Sequence, residues 1–564
     1  MIAMKVVIAG GVAGGATAAA RLRRMDEDAE IIICEKGEYI SYANCGLPYY
    51  IGGVIADKDE LLVQTPEGFW NRFRIDVRVA SEIVKINPAQ KSVEILDRAG
   101  GRTYTESYDK LILAPGAEPV RPNLPGVASP RIFTLRNVPD TLRIKEFIVA
   151  AQPHRAVVVG AGFIGLEMAE NLHLNGIKVT IVEMADHVVG QLDPEMAAFV
   201  HRQLTENKIE LYLQDAVQSF ENTPEHIGVE LAGGRRIEAD MVILSIGIRP
   251  ESKIAAAAGL QLGSYGGIGV DEFLRTSDPD IYAMGDAVEV NDFVTGGRTL
   301  IPLAGPANKQ GRIAANNLCG HTESYRGTQG TSILKVFDLT VAVTGNNEKS
   351  LRRKEIVYEK SYTHSISHAG YYPGAMPMAV KLLFARDGGK VLGAQIVGYE
   401  GVDKRIDVIA TAIRAGMSVS DLETLELAYA PMYSSVKDPV NIAGYTAANI
   451  LKGDCPIFHW DEVAALDHGT VLLLDVRTPG EYKRGTIPGA VNIPVDSLRE
   501  RLNEIPRNKA VYLFCQIGLR GYIATRILRQ RGFDQVKNLS GGFKTYQLAT
   551  QKQANEDFCA NERS

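Results

Sequence analysis

Two glycine loops constrain this chain more than any other feature. Lys5-Val6-Val7-Ile8-Ala9 runs into Gly10-Gly11-Val12-Ala13-Gly14-Gly15, and Ala156-Val157-Val158-Val159 runs into Gly160-Ala161-Gly162-Phe163-Ile164-Gly165. Each apolar run reads as a buried strand, and each loop is followed by a segment with helical spacing, so both mark the start of a parallel α/β unit. In the spacing G-x-G-x-x-G the first glycine makes the turn, the second lets a pyrophosphate approach the backbone, and the third lets helix pack on strand. The helix N-terminus then receives the phosphate charge. The loop at 160–165 is complete, whereas the loop at 10–15 has Val12 at its middle position.

A second signal accompanies each loop. The strand from Ile31 ends on Glu35, and the strand Val179-Thr180-Ile181-Val182 ends on Glu183. An acidic residue about 20 to 25 positions past the glycines holds the ribose hydroxyls of a dinucleotide. A carboxylate there repels a 2'-phosphate, so NADH is preferred over NADPH. Gly160, Gly162, Gly165 and Glu183 are the expected NAD contacts.

With 564 residues the chain is too long for one core and divides into several domains. Its net charge of -6, with 23% charged and 45% hydrophobic residues, describes an ordinary globular protein and gives no electrostatic footprint for nucleic acid. No apolar stretch reaches the roughly 18 residues of a membrane span. The apolar beginning is interrupted by Lys5 and reads as a strand entering a turn rather than a signal peptide, with Met4 a candidate start. The six cysteines (Cys34, Cys45, Cys319, Cys455, Cys515, Cys559) contain no C-x-x-C pair, so neither a metal site nor a disulfide framework is expected, and a cytoplasmic location fits.

A third signal is Thr276-Ser277-Asp278-Pro279-Asp280-Ile281-Tyr282-Ala283-Met284-Gly285-Asp286. With the two loops, it makes the chain resemble the flavoprotein reductases with two dinucleotide-binding domains. The resemblance implies an α/β fold with two Rossmann-like domains, for FAD and NAD, an α+β dimerisation domain, and a further C-terminal α/β module. The expected boundaries are 1–152 and 271–328 for the FAD domain, 153–270 for the NAD domain, 329–452 for dimerisation and 453–564 for the last module. FAD contacts are expected at Gly10, Val12, Ala13, Gly14, Glu35, Lys36, Asn44, Ala114, Asp286, Pro302 and Ala304, with the Asp286 carboxylate on the ribityl chain.

The segment Ser41-Tyr42-Ala43-Asn44-Cys45-Gly46-Leu47-Pro48-Tyr49-Tyr50 carries one cysteine where dithiol reductases carry two. A single cysteine pairs with an external sulfur, an external thiol or oxygen. This segment, with His368-Ala369-Gly370-Tyr371-Tyr372-Pro373-Gly374 and Tyr429-Ala430-Pro431-Met432-Tyr433, resembles the coenzyme A-disulfide reductases and the related NADH-dependent persulfide reductases. That resemblance implies Cys45 as the redox centre against the flavin. It implies that Tyr371 and Tyr429 reach Cys45 from the other subunit of a homodimer, that Ser41 and Asn44 lie in the substrate pocket, and that Arg21 and Arg24 face the nucleotide end of coenzyme A. A thiolate is the nucleophile toward sulfane sulfur, and a polarised flavin environment favours it.

Past Gly453-Asp454-Cys455-Pro456 a fresh α/β pattern begins: Val471-Leu472-Leu473-Leu474-Asp475-Val476-Arg477, Gly485-Thr486-Ile487-Pro488-Gly489-Ala490, and the loop Cys515-Gln516-Ile517-Gly518-Leu519-Arg520. This resembles the rhodanese family, with Cys515 as the sulfur carrier and Gln516, Gly518 and Arg520 in its loop. Successive backbone N–H groups of such a loop converge on the sulfur and stabilise a thiolate or persulfide. The family often has His where Thr486 stands, which puts local packing in question.

The reading that joins both sulfur sites is an FAD-dependent, NADH-driven reductase of persulfides or polysulfides, with coenzyme A persulfide as carrier, hydrosulfide as product and the rhodanese module supplying sulfane sulfur. Reduction of coenzyme A disulfide for thiol homeostasis is the alternative, and an NADH oxidase is another. The peroxidases of the group place a histidine in the first glycine loop, where this chain has Val12-Ala13.

Overall fold

The computed structural model describes residues 3–550, so Cys559 lies outside the described residues. The chain forms two compact units, Met1–Met184 with Asp215–Gly330, and Ala185–Gln214 with Thr331–Ser564.

In the first unit the strands Ile281–Ala283, Lys110–Leu113, Lys5–Ala9, Glu30–Cys34 and Asp76–Arg78 stand side by side in that order, all parallel. Val6, Val7 and Ile8 expose no surface. A strand covered on both faces needs a continuous apolar run, which the sequence supplies. Burying each of these side chains contributes about 1.5–3 kcal/mol. The next element is the helix Ala13–Met25, and its close approach depends on Gly15, where a Cβ would lie 1.9 Å from the Gly10 carbonyl oxygen. A second parallel sheet places Lys178–Val182, Arg155–Val159, Met241–Leu244 and Ile132–Phe133 next to one another. Its helix Phe163–Leu174 repeats the device, since a Cβ on Gly165 would lie 2.0 Å from the Gly160 oxygen. Both first glycines take left-handed backbone angles, φ 94° at Gly10 and 97° at Gly160, which favour glycine.

The second unit opens with an antiparallel sheet in the order Ser332–Val336, Leu339–Gly345, Val391–Gly398, Pro377–Ala385, Tyr358–Ile366. The helices Val402–Arg414 and Pro439–Leu451 pack on it. The C-terminal module is a parallel sheet of Ile457–Phe458, Val536–Leu539, Ala510–Phe514, Val471–Asp475 and Val491–Asn492. It meets the outer strand Tyr358–Ile366, where the Tyr362 N–H donates to Ser540 Oγ at 3.2 Å and His364 Nε2 lies 2.8 Å from Thr545 Oγ1. Burial, reinforced by Lys544, pushes the His364 pKa down to about 3, so this ring is neutral at ordinary pH. These layers are the fold class the sequence implies: two Rossmann-like sheets, an α+β domain and a terminal α/β module.

The segment Ala185–Gln214 lies inside the 153–270 stretch, yet its buried partners are in the second unit. Lys381 exposes 0% of its side chain and pairs with Asp193 at 2.7 Å, Glu348 at 2.5 Å and Glu195, the last two residues of this list lying 153 positions apart in sequence but on one ammonium. Burial alone would strip the Lys381 proton, but Tyr362 and the three carboxylates hold its pKa well above the usual lysine range. The helix Pro194–Glu206 is fastened to the antiparallel sheet through this network.

Candidate functional site

A cavity of about 480 Å³ opens in the first unit, and eight of the residues expected to hold FAD line it: Val12, Ala13, Gly14, Glu35, Lys36, Asn44, Ala114 and Asp286. Gly10 acts one step back, because its turn brings the loop so close to Ala114 that a Cβ would lie 2.2 Å from that carbonyl oxygen. Pro302 and Ala304 are not among the lining residues, and Ala304 begins the helix Ala304–Leu318, whose Ala307 does line the cavity. Glu35 accepts from the Gly11 N–H and the Gly37 N–H, both at 2.9 Å, while Lys36 pairs with Glu251 at 2.6 Å. Burial raises the Asp286 pKa, and Arg136, 4.0 Å away, offsets part of that rise. The residues fit a dinucleotide, since the glycine face is open to the cavity and the buried Asn44 Oδ1 has no hydrogen-bond partner in the protein.

Cys45 sits in the one-turn element Asn44–Gly46, ahead of the short helix Leu47–Ile51. The segment is tethered to the first glycine loop by the Ser41 N–H, which donates to the Gly11 oxygen at 2.8 Å, and Ser41 takes a left-handed φ of 43°. Gly46 leaves room for Leu61, whose Cδ2 would lie 2.8 Å from an added Cβ. Among the five described cysteines all are unpaired, and Cys45 alone is exposed. Desolvation, then the charges of Glu167 and Asp286, push its thiol pKa up. The described side chains around Cys45 therefore work against a thiolate, and the stabilisation expected from the sequence has to come from what binds there.

Glu167 was not among the expected site residues. It lies two positions past Gly165 on the helix Phe163–Leu174, and its carboxylate accepts from the Tyr49 hydroxyl at 3.4 Å. Burial raises its pKa to about 7, Tyr49 opposing and Glu170 assisting. The Tyr49 hydroxyl is pushed to about 12 by burial and by these two carboxylates. A carboxyl poised near neutrality, whose charge raises the pKa of an exposed cysteine, is the kind of group that acts in proton transfer. The only sequence signal was a charge two positions past the third glycine of a fingerprint.

Of the basic pair expected on coenzyme A, Arg24 is exposed and Arg21 donates through Nε to Asn316 Oδ1 at 2.7 Å. Arg23 between them is structural, its guanidinium bound to the carbonyl oxygens of Phe73, Asp26, Glu27, Ala29 and Arg74. In the second loop, a Cβ on Gly162 would meet nothing within 4 Å, so the helix N-terminus behind it is open to a phosphate. Glu183 accepts from the Ala161 N–H at 2.7 Å, matching Glu35 on Gly11.

In the second unit the hydroxyls of Tyr371 and Tyr429 meet at 2.7 Å, with 76% and 43% of each residue exposed. Buried Arg405 holds both segments: its Nη2 donates to the oxygens of Ser367 and Tyr433 and to Ser434 Oγ, and it pairs with Asp438 at 3.0 Å.

Cys515 directly follows the strand Ala510–Phe514 and is 1% exposed. The Gly518 N–H donates to its Sγ at 3.1 Å, with Gly518 at φ 107°, the geometry expected of an anion-cradling loop. Arg520 forms a two-pronged pair with Glu481 at 2.6 and 2.8 Å, and Gln516 Oε1 accepts from Arg477 Nη1 at 3.0 Å. Thr486 keeps the local packing by donating to Asp475 Oδ2 at 2.8 Å. Cys45 and the tyrosine pair belong to different units, and Cys515 shares its unit with the tyrosines.

Residues 4–311 match the model of the pyridine nucleotide-disulphide oxidoreductases, 331–439 the dimerisation domain of that family, and 461–549 the rhodanese-like domain. Coenzyme A disulfide reductase of Staphylococcus aureus (strain bovine RF122 / ET3-1) is 37% identical over 444 residues, 78% of this chain and 99% of the relative. The crystal structure of reduced Bacillus anthracis CoADR-RHD superimposes with a TM-score of 0.95 at 53% identity, over 97% of this chain and 98% of that one. That of an NAD-dependent persulfide reductase from A. fulgidus gives 0.90 at 38% identity, over 97% and 100%. Among the described residues no helix is long and apolar enough to cross a membrane.

Proposed function

We propose, for a chain that belongs to the pyridine nucleotide-disulphide oxidoreductase family, that it uses NADH to reduce persulfides or polysulfides at Cys45 and releases hydrosulfide. It is an FAD- and NAD(H)-dependent oxidoreductase acting on sulfur groups, with a rhodanese-like module. The observation that carries the finer reading is the exposed, unpaired Cys45 in a turn tied to the flavin-side glycine loop.

Cys45 Sγ attacks the outer sulfur of R–S–S⁻; the bond between the donor sulfurs breaks and RS⁻ leaves, so Cys45 becomes a persulfide. Two electrons then reduce that sulfur–sulfur bond, hydrosulfide leaves and the Cys45 thiolate returns. The sum is RSSH + NADH + H⁺ → RSH + H₂S + NAD⁺. Gly14, Glu35 and Asp286 would hold FAD, which would supply two-electron redox chemistry between NADH and sulfur. Asn44 and Ser41 orient the carrier, Arg21 and Arg24 attract the nucleotide end of coenzyme A, and Glu167 with Tyr49 holds a proton near Cys45. Tyr371 and Tyr429, joined at their hydroxyls, act on Cys45 of the partner subunit in a homodimer, where a phenol hydroxyl donates to the leaving thiolate. Cys515 loads sulfane sulfur and passes it inward. Unpaired cysteines fit a reducing cytoplasm.

A second reading is reduction of coenzyme A disulfide, the activity in the name of the S. aureus relative, through a mixed disulfide on Cys45. The C-terminal rhodanese-like module favours persulfide, and the A. fulgidus persulfide reductase matches 97% of the chain. Anaerobic NADH consumption, measured with coenzyme A disulfide, coenzyme A persulfide, polysulfide and peroxide in turn, ranks these readings. Persulfide is expected to lead, and Cys45→Ser to abolish its reduction. A Cys45→Ser enzyme that turns over persulfide at the parent rate, or a parent that prefers peroxide, would overturn the proposal.

A further inference from the structure

The rhodanese-like loop has cations beside its cysteine, but they are engaged. Arg520 acts on Cys515, but its first partner is Glu481, which holds it through both oxygens and whose own pKa falls to about 2, first through that guanidinium. Arg477 donates to both oxygens of Asp475, to the Gly485 carbonyl and to Gln516, and its plane lies 4.1 Å over the Phe543 ring. Two residues of the loop are apolar and exposed, Ile517 at 39% and Leu519 at 64%, and Ile523, one turn along the helix Leu519–Gln530, is 41% exposed. Leu519 and Ile523 share a helix face at i, i+4. The mouth of this site therefore combines neutralised guanidiniums with an apolar collar.

We infer that Cys515 takes its sulfur from an organic hydropersulfide bearing an apolar group and discriminates against thiosulfate. This rests on the reading of Cys515 as a sulfur carrier. The Cys515 thiolate attacks the sulfane sulfur of R–S–S⁻, the donor S–S bond breaks, RS⁻ leaves with the electron pair, and Cys515–S–S⁻ remains, the Gly518 N–H facing the sulfur. One negative charge enters with the donor and one leaves. With thiosulfate the same attack expels sulfite, and a dianion must approach arginines already matched by Glu481 and Asp475. The organic group of the hydropersulfide, in contrast, rests on Ile517, Leu519 and Ile523.

The test uses the full chain with its cofactors and follows the gain of one sulfur atom on the Cys515 peptide by quenched-flow mass spectrometry. Benzyl hydropersulfide, methyl hydropersulfide and thiosulfate are supplied at equal concentration. Benzyl hydropersulfide is expected to load Cys515 at least about tenfold faster than thiosulfate, and faster than its methyl analogue. Ile517→Ser with Leu519→Ser is expected to lower the benzyl-to-methyl ratio, and Glu481→Gln, which frees Arg520, to lower the benzyl-to-thiosulfate ratio by about tenfold. Thiosulfate loading as fast as benzyl hydropersulfide in the parent, or equal benzyl and methyl rates, would overturn the inference while leaving Cys515 a sulfur carrier. No sulfur on Cys515 from any donor would remove that reading itself.

Discussion

Replacing Lys381 by Met tests whether one buried ammonium fastens the helix Pro194–Glu206 to the antiparallel sheet. The parent places a fully buried cation within 2.7 Å of Asp193 and 2.5 Å of Glu348, with Glu195 also bonded. Met matches the apolar stem but leaves three carboxylates, of which only Glu348 keeps close cations, Lys360 at 3.1 Å and Arg352 at 2.6 Å. Breaking a buried pair by removing one partner costs about 3–5 kcal/mol, because an uncompensated charge stays behind. For a unit of this size that lowers the apparent Tm by roughly 6–20 °C. The variant also acquires a pH signature. Burial already raises the Asp193 pKa in the parent and Lys381 offsets part of that rise, so without the ammonium Asp193 rises further and lost stability returns as pH falls and a proton neutralises it. Adding Glu195→Gln to Lys381→Met is expected to recover part of the loss, a coupling that independent sites would not show. Calorimetry of the parent, the single variants and the double variant at two pH values gives the measurement. A Tm within about 2 °C of the parent, with no pH dependence, would show that the network contributes nothing beyond its packing.

Three further outcomes are expected of the nucleotide and sulfur sites. The Glu183 carboxylate, aligned on the Ala161 N–H, should favour NADH over NADPH by at least about tenfold in kcat/KM, and equal efficiency would show that it does not meet the ribose. Phe at Tyr371 or Tyr429 should slow the sulfur step more than flavin reduction; in a mixed dimer of Cys45→Ser with Tyr429→Phe about half of the parent activity should survive if the tyrosine acts across the interface, since one site then loses both groups. Glu167→Gln removes a negative charge that raises the Cys45 thiol, so the pH midpoint of Cys45 alkylation should fall; it should also abolish the loss of stability between about 4.5 and 7 that ionising Glu167 causes in the parent, its folded pKa being raised. An unchanged alkylation profile would separate Glu167 from Cys45.

What the sequence made legible is local chemistry with a fixed spacing. The glycine loops, the acidic residues that end the next strands, and the cysteine turns at 45 and 515 each need their residues within a few positions of one another, and the structure brings eight of the expected flavin contacts to one cavity. What it hid depends on pairs remote in sequence. Lys381 and Asp193, or Arg405 and Asp438, carry no signal of each other until the chain folds. The arginines of the first helix are intermediate: the sequence singles out Arg21 and Arg24, and only the structure shows that Arg23 between them is buried with Ala16 and Ala19. Gly15, at the third glycine position of the first loop's fingerprint, is the one on which the helix closes, and Gly14 faces the cavity.

The outer position of Tyr358–Ile366 has a consequence for how this molecule evolved and how it is cut. A terminal strand offers unpaired backbone groups to any passing chain, and proteins guard such borders with charge, proline or a cover. Here the cover is the sulfur module itself, which bonds the Tyr362 N–H through Ser540 and shelters a histidine too buried to ionise near neutrality. Once a fused module doubles as the sheathing of its neighbour, it is no longer a separable accessory. Its deletion uncovers a sticky border and a histidine that gains charge as pH falls toward its ordinary value of about 6.5, whatever becomes of the chemistry at Cys515. Trimmed versions that end before residue 453 therefore need new surface residues on that strand, a lysine or glutamate in place of Tyr362 or His364, to remain monodisperse.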